Sequence, residues 1–257
     1  MFSLTDKIVC ITGASSGIGA ACARTFAQLG CRLLLAARRS ERLEALASEL
    51  RKEHIGLDVL TLTLDVRHVH EVEAAFASLP EEWKNISILI NNAGLARGMA
   101  PLQEGDIADW EEMIDTNVKG LLYVTRTLLP GMIQRNEGHI INTGSIAGHA
   151  VYPKGNVYCA SKYAVQALTE GIKMDTLGTP IRVSVISPGM VDTEFSTVRF
   201  HGDHARADAT YKGMTPLSGE DVADIVGFIA TRPAHVNILD CVILPTDQSA
   251  ATLVHRR

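Results

Sequence analysis

The sequence predicts an α/β protein built on one open, doubly wound parallel sheet, and two features indicate this fold class. Short runs rich in Val, Ile and Leu alternate with longer helical patterns along all 257 residues. The apolar runs are nearly continuous, which is typical of strands covered on both faces. Regular alternation of strand and helix favours a parallel sheet with right-handed crossovers.

Seven strands and six helices are predicted. The strands cover residues 8–12, 32–37, 59–64, 86–90, 139–142, 182–186 and 239–244. The helices cover residues 17–29, 40–53, 69–78, 107–135, 157–177 and 219–231. Because no repeat, low-complexity segment or linker interrupts this order, residues 1–257 are predicted to form a single domain.

The polar segment 190–217 breaks the alternation. It follows the end of the sixth strand, where ligands bind in open α/β sheets. A long insertion at such a place is typical of a substrate lid. We therefore interpret residues 190–217 as a lid, partly helical around residues 205–212.

Composition narrows the possible functions. The net charge of −5 and the lack of a basic block argue against nucleic-acid binding. The five cysteines are scattered without a Cys-x-x-Cys, and no histidine belongs to a ligand set of standard spacing, so we expect neither disulfides nor a metal. No apolar run approaches the ~20 residues of a membrane span, and the first strand leaves no room for a signal peptide. We expect a cytoplasmic protein.

A glycine-rich turn at residues 12–19 joins the first strand to the first helix. Its glycines let the backbone turn sharply, and the helix N-terminus supplies N–H groups and partial positive charge for a phosphate. The candidate contacts are Gly13, Ser15, Ser16, Gly17, Ile18 and Gly19.

The same turn matches the Gly-x-Ser-x-Gly of hydrolases, with Ser15 as the nucleophile. That alternative lacks an upstream His-Gly-Gly run and leaves the later tyrosine–lysine pair without a role. A glycine turn with no ligand is the other alternative, and the strand–turn–helix context favours the phosphate.

The second strand ends in Arg38-Arg39, where an enzyme using NAD would usually carry an acidic residue for the ribose hydroxyls. Two arginines are instead suited to a 2′-phosphate, so the predicted cofactor is NADP. Arg38 is the preferred contact, while Arg39 is the one that could face water.

Two further strand ends carry candidate cofactor contacts, listed here as Asp65, Val66, Asn92, Ala93 and Gly94. Asp65 could accept a bond from the adenine amino group or cap the next helix. The small residues after the fourth strand would let a cofactor lie flat across the strand ends.

Tyr158 and Lys162 lie four residues apart in a predicted helix and therefore on one face. An ammonium beside a phenol favours the phenolate and lowers the pKa of the tyrosine toward neutrality. Asn117, in the interior of a helical pattern, is a candidate for a kink that holds a water. Ser145 follows the fifth strand. It is a candidate site residue only because Asn117, Tyr158 and Lys162 are also present.

Together these motifs, with Pro188-Gly189, resemble the short-chain dehydrogenase/reductase family over essentially the whole chain. The resemblance implies a Rossmann-type fold with a seven-stranded sheet. It also implies a catalytic tetrad of Asn117, Ser145, Tyr158 and Lys162, and cofactor contacts by Pro188, Gly189, Val191 and Thr193 together with Tyr158 and Lys162. Many NADP-using members carry a basic residue where Ser16 stands, which leaves phosphate recognition to Arg38.

Several segments, including residues 155–158, 193–200 and 233–238, look like the NADP-dependent 3-hydroxy acid dehydrogenases of that family. The resemblance implies a substrate such as serine, allo-threonine or 3-hydroxypropionate, held by Ser145 and Tyr158. Arg199 in the lid is the candidate for the substrate carboxylate, with Lys154 as the second choice. The alternatives are a broad carbonyl or 3-oxoacyl reductase and a non-catalytic NADP-binding sensor.

The predicted helix 157–177 is apolar beyond one narrow stripe, which indicates burial on more than one side. One side would pack on the sheet and the other on a second copy of the chain. Since the family commonly assembles as tetramers, we predict a homotetramer.

Overall fold

The computed structural model describes residues 3–257, which contain one sheet of seven parallel strands. The strands are β1 (Ile8–Thr12), β2 (Arg32–Ala37), β3 (Val59–Thr63), β4 (Ile86–Asn91), β5 (His139–Thr143), β6 (Arg182–Pro188) and β7 (Asp240–Ile243). Their order across the sheet is β3-β2-β1-β4-β5-β6-β7. The chain therefore reverses its direction of winding between β1 and β4, which creates a crevice there for a ligand. The predicted Rossmann-type fold is confirmed.

Nine α-helices lie within residues 3–257. They are α1 (Gly17–Gln28), α2 (Ser40–Glu53), α3 (Val69–Ala77), α4 (Ile107–Ile114), α5 (Leu121–Gln134), α6 (Asn156–Asp175), α7 (Phe195–Arg199), α8 (His204–Tyr211) and α9 (Gly219–Ala230). None of the helices in this part of the chain is long and apolar enough to cross a membrane.

Side chains that alternate along each strand fill two separate cores. On β2, Leu33 and Leu35 pack with Phe26 of α1, whereas Leu34 points to the opposite face and packs with Phe76 of α3. All five of these side chains are fully or almost fully buried. Because helices cover both faces of the sheet, a ligand can reach it at the carboxyl ends of the strands.

The predicted helix 107–135 is interrupted by a π-helical turn, Asp115–Gly120. Asn117 at its centre accepts from Leu95 N and donates to Leu95 O, both at 2.8 Å, so the helix opens to bind the loop after β4. A π-helical turn thus lies at the residue where the sequence predicts a kink. The sequence pattern alone could not show that the irregularity would be a π turn.

Residues 190–217, which the sequence predicts to be a lid and which are called the lid below, contain α7 and α8. The expected helix around residues 205–212 is present as α8, while the five-residue α7 was missed because it is too short for a periodic pattern. A bridge between Val191 and Leu217 closes the base of the lid beside the end of β6.

Candidate active site

A cavity of about 1100 Å³ lies at the carboxyl ends of the strands, between the strand ends and the lid. Its lining includes almost all the residues that the sequence analysis selected. They are Gly13, Ser15, Ser16, Gly17, Ile18, Arg38, Arg39, Asp65, Val66, Asn92, Ala93, Gly94, Ser145, Lys154, Tyr158, Lys162, Pro188, Gly189, Val191, Thr193 and Arg199. Gly19 and Asn117 are not in the lining, because both are buried behind it.

The glycine-rich turn is shaped by close backbone packing. Gly13 has φ +65°, and a Cβ there would lie 2.9 Å from Ala93 Cα. At Gly19 a Cβ would overlap the Gly13 carbonyl and lie 2.6 Å from Asn92 Nδ2, so this glycine supports the turn from behind. The first turn of α1 contains no acidic residue, and Ser16 caps it without a side-chain bond. Its free N–H groups are therefore suited to an anion.

Asn92 braces this turn. Its Nδ2 donates to Thr12 O at 3.2 Å and to Gly13 O at 3.3 Å. Thr12 Oγ1 accepts in return from the N–H groups of Asn92 and Ala93. The Asn92 side chain thus fixes the floor of the cavity, which consists of the strand ends and the turns that follow them. Ala93 and Gly94 form the part of this floor that faces the cavity.

The sequence analysis left open that Arg39 faces water. In the structure it lies at the glycine-rich turn of residues 12–19, which is called the phosphate turn below. Its guanidinium donates to Ser16 Oγ at 2.6 Å and to Ser15 Oγ at 3.1 Å. It therefore supplies the positive charge that many NADP-using members carry at the position of Ser16. Arg38 is half-exposed on the cavity wall and lies 3.6 Å from Glu112. Two arginines, and not Arg38 alone, therefore lie at the place where a phosphate is predicted.

The carboxylate of Asp65 is hydrogen-bonded to a residue close to it in sequence, Arg67. The carboxylate accepts from Arg67 Nη2 at 2.6 Å and from the Arg67 N–H, and these bonds lower the pKa of Asp65 despite the opposing effect of burial. The capping alternative for Asp65 is wrong, since His68 is the N-cap residue of α3. Asp65 instead lines the cavity wall with both of its carboxylate oxygens accepting from Arg67.

Tyr158 and Ser145 meet in the deepest part of the cavity, and each is only 8% exposed. Tyr158 projects from α6, and its ring packs edge-on against Phe195 of the lid at 5.7 Å between centroids. Ser145 follows β5 and accepts from Ala147 N at 3.1 Å, which orients its hydroxyl. The two hydroxyls therefore lie within hydrogen-bond reach of each other in the cavity lining.

Lys162 lies one helical turn after Tyr158 and is 5% exposed. Its ammonium donates to Thr143 O at 2.8 Å and is 5.9 Å from the centroid of the Tyr158 ring. Burial lowers the pKa of Lys162 to about 8. An ammonium fixed at the end of β5 can hold a ribose hydroxyl and place a charge beneath the phenol.

The pKa of Tyr158 shifts in the direction opposite to the one expected from the Tyr–Lys spacing. Burial raises it well above the ordinary value of 10, and the Ser145 hydroxyl and the Arg199 charge only partly oppose this. Lys162 does not reverse the effect because its ammonium is bound to the Thr143 carbonyl rather than to the phenol.

Asn117 connects the floor to α6. Besides its two bonds to Leu95, its Nδ2 donates to Ser161 Oγ at 3.0 Å, and Ser161 Oγ donates to Tyr158 O at 2.7 Å. Both hydrogens of the amide are therefore donated to protein acceptors. The side chain therefore connects the loop after β4 to the helix that carries Tyr158.

Arg199 of α7 points inward. Its guanidinium carbon lies 5.2 Å from the centroid of the Tyr158 ring, and its Nη2 donates to the Tyr152 hydroxyl. Its Nε is buried and has no hydrogen-bond partner among residues 3–257. Among residues 3–257 Arg199 makes no ion pair with a carboxylate, and the nearby Glu194 binds Arg39 and Arg42. Lys154, by contrast, is exposed at the cavity mouth.

Sequence reasoning missed Arg97, Glu112, Tyr152 and Arg42. Arg97 donates to Val198 O of the lid at 2.7 Å and to Glu112 at 2.6 Å, which ties the lid to α4. No motif marks these residues. Their roles come from contacts between segments that are far apart in sequence.

The sequence of this chain is similar to one known protein family and to individual proteins. The short chain dehydrogenase profile matches residues 7–203. The NADP-dependent 3-hydroxy acid dehydrogenase of Salmonella typhi is 49% identical over 97% of this chain and 99% of that protein. Sulfoacetaldehyde reductase 2 of Chromohalobacter salexigens is 47% identical over 95% of this chain and 96% of that protein.

Among solved structures, the closed form of serine dehydrogenase complexed with NADP+ superposes with a TM-score of 0.90. It is 48% identical and covers 97% of this chain and 100% of its own. Since the family profile covers more than half of the chain and these relatives match over nearly their full lengths, the chain belongs to the short chain dehydrogenase family.

Proposed function

We propose that the protein transfers a hydride between NADP(H) and the hydroxyl of a small anionic substrate, a 3-hydroxy acid. The observation that supports the anionic substrate is the buried Nε of Arg199, which has no partner and lies beside Tyr158. A buried guanidinium nitrogen without an acceptor is costly, and a carboxylate is the acceptor that its planar geometry suits.

The residues of the cavity fit NADP. The open N-terminus of α1 and the turn at Gly13 suit the pyrophosphate, and Arg38 and Arg39 suit a 2′-phosphate. Lys162 is placed for the nicotinamide ribose. When bound, the nicotinamide exchanges the hydride, and its oxidised form adds a positive charge that favours a neighbouring phenolate.

Four side chains of the protein have different roles around one oxygen of the substrate. Tyr158 takes the hydroxyl proton in oxidation and returns it in reduction. Ser145 hydrogen-bonds the same oxygen and stabilises the charge that develops on it. Lys162 supplies positive charge below the phenol, and Asn117 holds α6 in register through Ser161.

Arg199 orients the substrate from the other side. Its position over the Tyr158 ring places a cation close to the reacting centre, within a cavity closed by the lid. The Tyr152 hydroxyl fixes one edge of the guanidinium, which leaves Nε for the substrate. The same cation suits a sulfonate, and one of the similar proteins is a sulfoacetaldehyde reductase.

The test compares Arg199→Met with the unchanged protein on three substrates: a 3-hydroxy acid, sulfoacetaldehyde, and an uncharged alcohol of similar size. We expect kcat/KM for the acid to fall roughly 10- to 100-fold, as for loss of a charge-assisted hydrogen bond, with the uncharged alcohol little affected. A larger loss on the sulfonate would identify it as the preferred anion. Equal losses on all three would reassign Arg199 to lid structure.

Arg206→Met is the matched control, since this lid arginine stacks on Phe200 rather than on Tyr158. Each assay is run with NADP and NAD. Equal efficiency with both cofactors would contradict the role of Arg38 and Arg39.

We also propose that the protein is a homotetramer. Along α6, Val165 is buried against the sheet, while Ala160 and Tyr163 remain exposed. This leaves an apolar outer face of the helix available to a second copy. Light scattering at micromolar concentration should give four times the 27.7 kDa chain mass, and a monomer mass would contradict the proposal.

A further inference from the structure

Glu194 binds two arginines across the mouth of the cavity. It is the N-cap residue of α7, and its carboxylate accepts from Arg39 Nη1 at 2.9 Å and from Arg42 Nη1 at 2.6 Å. Arg39 follows β2 and Arg42 lies in the first turn of α2. The contact therefore joins the first residues of the lid to the part of the floor that surrounds the phosphate turn.

Arg39 connects this contact to the phosphate turn itself. The guanidinium that binds Glu194 also donates to Ser15 Oγ and Ser16 Oγ. Within residues 3–257, Glu194 is the only carboxylate in an ion pair with Arg39 or Arg42. The hydrogen bonds from Arg42 and Arg39 lower the pKa of Glu194, which is therefore ionised at neutral pH. An anion of the lid thus occupies arginines at the place where a cofactor phosphate is expected.

We propose that Glu194 competes with the 2′-phosphate of the cofactor for Arg39 and Arg42, so that a 2′-phosphate releases the start of the lid from the floor. The inference rests on the proposed role of Arg39 in binding NADP, and it adds Arg42, which binds the same carboxylate as Arg39. It assigns to a lid residue an effect on cofactor choice and on lid mobility that the tetrad does not explain.

The chemistry favours the phosphate in this competition. A phosphate monoester carries about −1.5 to −2 charges near pH 7 and three acceptor oxygens, whereas a carboxylate carries one charge and two oxygens. The two ion pairs of Glu194 are nearly half-exposed, so water weakens them. A cofactor lacking the 2′-phosphate has no group to displace Glu194. Since coupling is reciprocal, a lid without this carboxylate should bind a 2′-phosphate more tightly.

The experiment measures binding of 2′,5′-ADP and 5′-ADP by calorimetry, without substrate or turnover. Glu194→Gln should bind 2′,5′-ADP roughly three- to tenfold more tightly than the unchanged protein, as expected for loss of partly exposed ion pairs. Its affinity for 5′-ADP should stay the same. The gain should shrink as salt rises from about 0.05 to 0.5 M, since salt screens exposed charges.

Asp192→Asn is the matched control. It removes the same charge from the lid two residues earlier, at an exposed side chain that makes no ion pair among residues 3–257. This variant should keep the affinity of the unchanged protein for 2′,5′-ADP. An equal gain in both variants would show an effect of net charge only and would overturn the competition.

A second readout follows the lid directly. Hydrogen exchange at the amides of Val198 and Phe200, which bond back to Glu194 O and Ser196 O, should speed up in the unchanged protein on adding 2′,5′-ADP but not 5′-ADP. In Glu194→Gln it should be fast from the start. Slower exchange with 2′,5′-ADP, or weaker binding to Glu194→Gln, would overturn the inference by showing that Glu194 helps to hold the phosphate.

The outcomes also separate this inference from the proposed function. If the unchanged protein does not distinguish 2′,5′-ADP from 5′-ADP, the role of the arginines in cofactor choice fails. If it prefers 2′,5′-ADP and Glu194→Gln changes nothing, only the competition by Glu194 fails.

Discussion

The floor of the cavity and its lid are held in place by different kinds of contact. The floor is formed by the strand ends and the turns that follow them, and it is fixed by backbone packing and buried hydrogen bonds, as at Gly13 and Asn92. The lid, residues 190–217, is held to the rest of the protein in part by arginines, such as Arg97 and Arg39, and several of these contacts are half-exposed.

This difference divides the proposed function between the two regions. A floor fixed by backbone geometry keeps the proton-transfer groups in one position, as catalysis requires. A lid held by charged contacts can be released by a charged ligand at little cost. We therefore expect changes in the floor to affect the chemical step or the fold, and changes in the lid to affect substrate capture.

The largest effect is expected for Tyr158→Phe in the floor. The ring and its contact with Phe195 are kept, but the proton carrier is lost. We expect kcat to fall roughly 10²- to 10⁴-fold, while NADPH binding, measured by nucleotide fluorescence, stays within about twofold. A variant that keeps most of its kcat would remove Tyr158 from the mechanism.

The floor could be predicted from the sequence far better than the lid. Residues 12–19, Tyr158 and Lys162 have fixed spacings within one strand–turn–helix unit or one helix, so their local geometry follows from the chain itself. The pKa of Tyr158 could not be predicted, because burial and the bond between Lys162 and Thr143 depend on the assembled fold.

The contacts of the lid were not predictable for a related reason. Glu194 is 155 residues from Arg39, and the carbonyl of Val198 is 101 residues from Arg97. No local pattern encodes such pairs. The short α7 also lacks enough residues to show a helical period.

Lys162→Met tests how much the buried charge of Lys162 lowers the free energy of unfolding. The pKa of Lys162 is about 8 in the folded protein against an ordinary 10.5, so between these values the unfolded chain binds more protons and stability rises with pH. Below pH 8 the full effect, about 3–4 kcal/mol, disfavours the folded protein. Lys162→Met should lack this dependence.

Denaturant unfolding at several pH values measures the prediction for Lys162→Met. The advantage of the variant over the unchanged protein should be greatest at or below pH 8 and should decrease steadily toward pH 10.5. Parallel stability curves for the two proteins would show that Lys162 does not carry a buried charge in the floor.

A smaller effect is expected for Arg97→Met, which removes the link between the lid and α4 through Val198 O and Glu112. We expect KM for the acid to rise roughly tenfold, with kcat within about threefold, since the floor is intact and only the closed lid is weakened. Steady-state kinetics measures both constants. A loss confined to kcat would place Arg97 in the chemical step instead.

The smallest effects are expected for two glycine variants that differ in surroundings. Gly19→Ala places a Cβ against the Gly13 carbonyl, so the phosphate turn has to shift, and we expect a loss of about 1–3 kcal/mol of stability together with weaker NADP binding. Gly171→Ala, in the middle of α6, meets no atom within 4 Å and should gain about 0.5–1 kcal/mol from the higher helix propensity of alanine. Denaturant unfolding and nucleotide titration give both quantities. If Gly19→Ala binds NADP like the unchanged protein, the turn adapts as readily as the lid does, and the contrast between a fixed floor and a releasable lid is wrong.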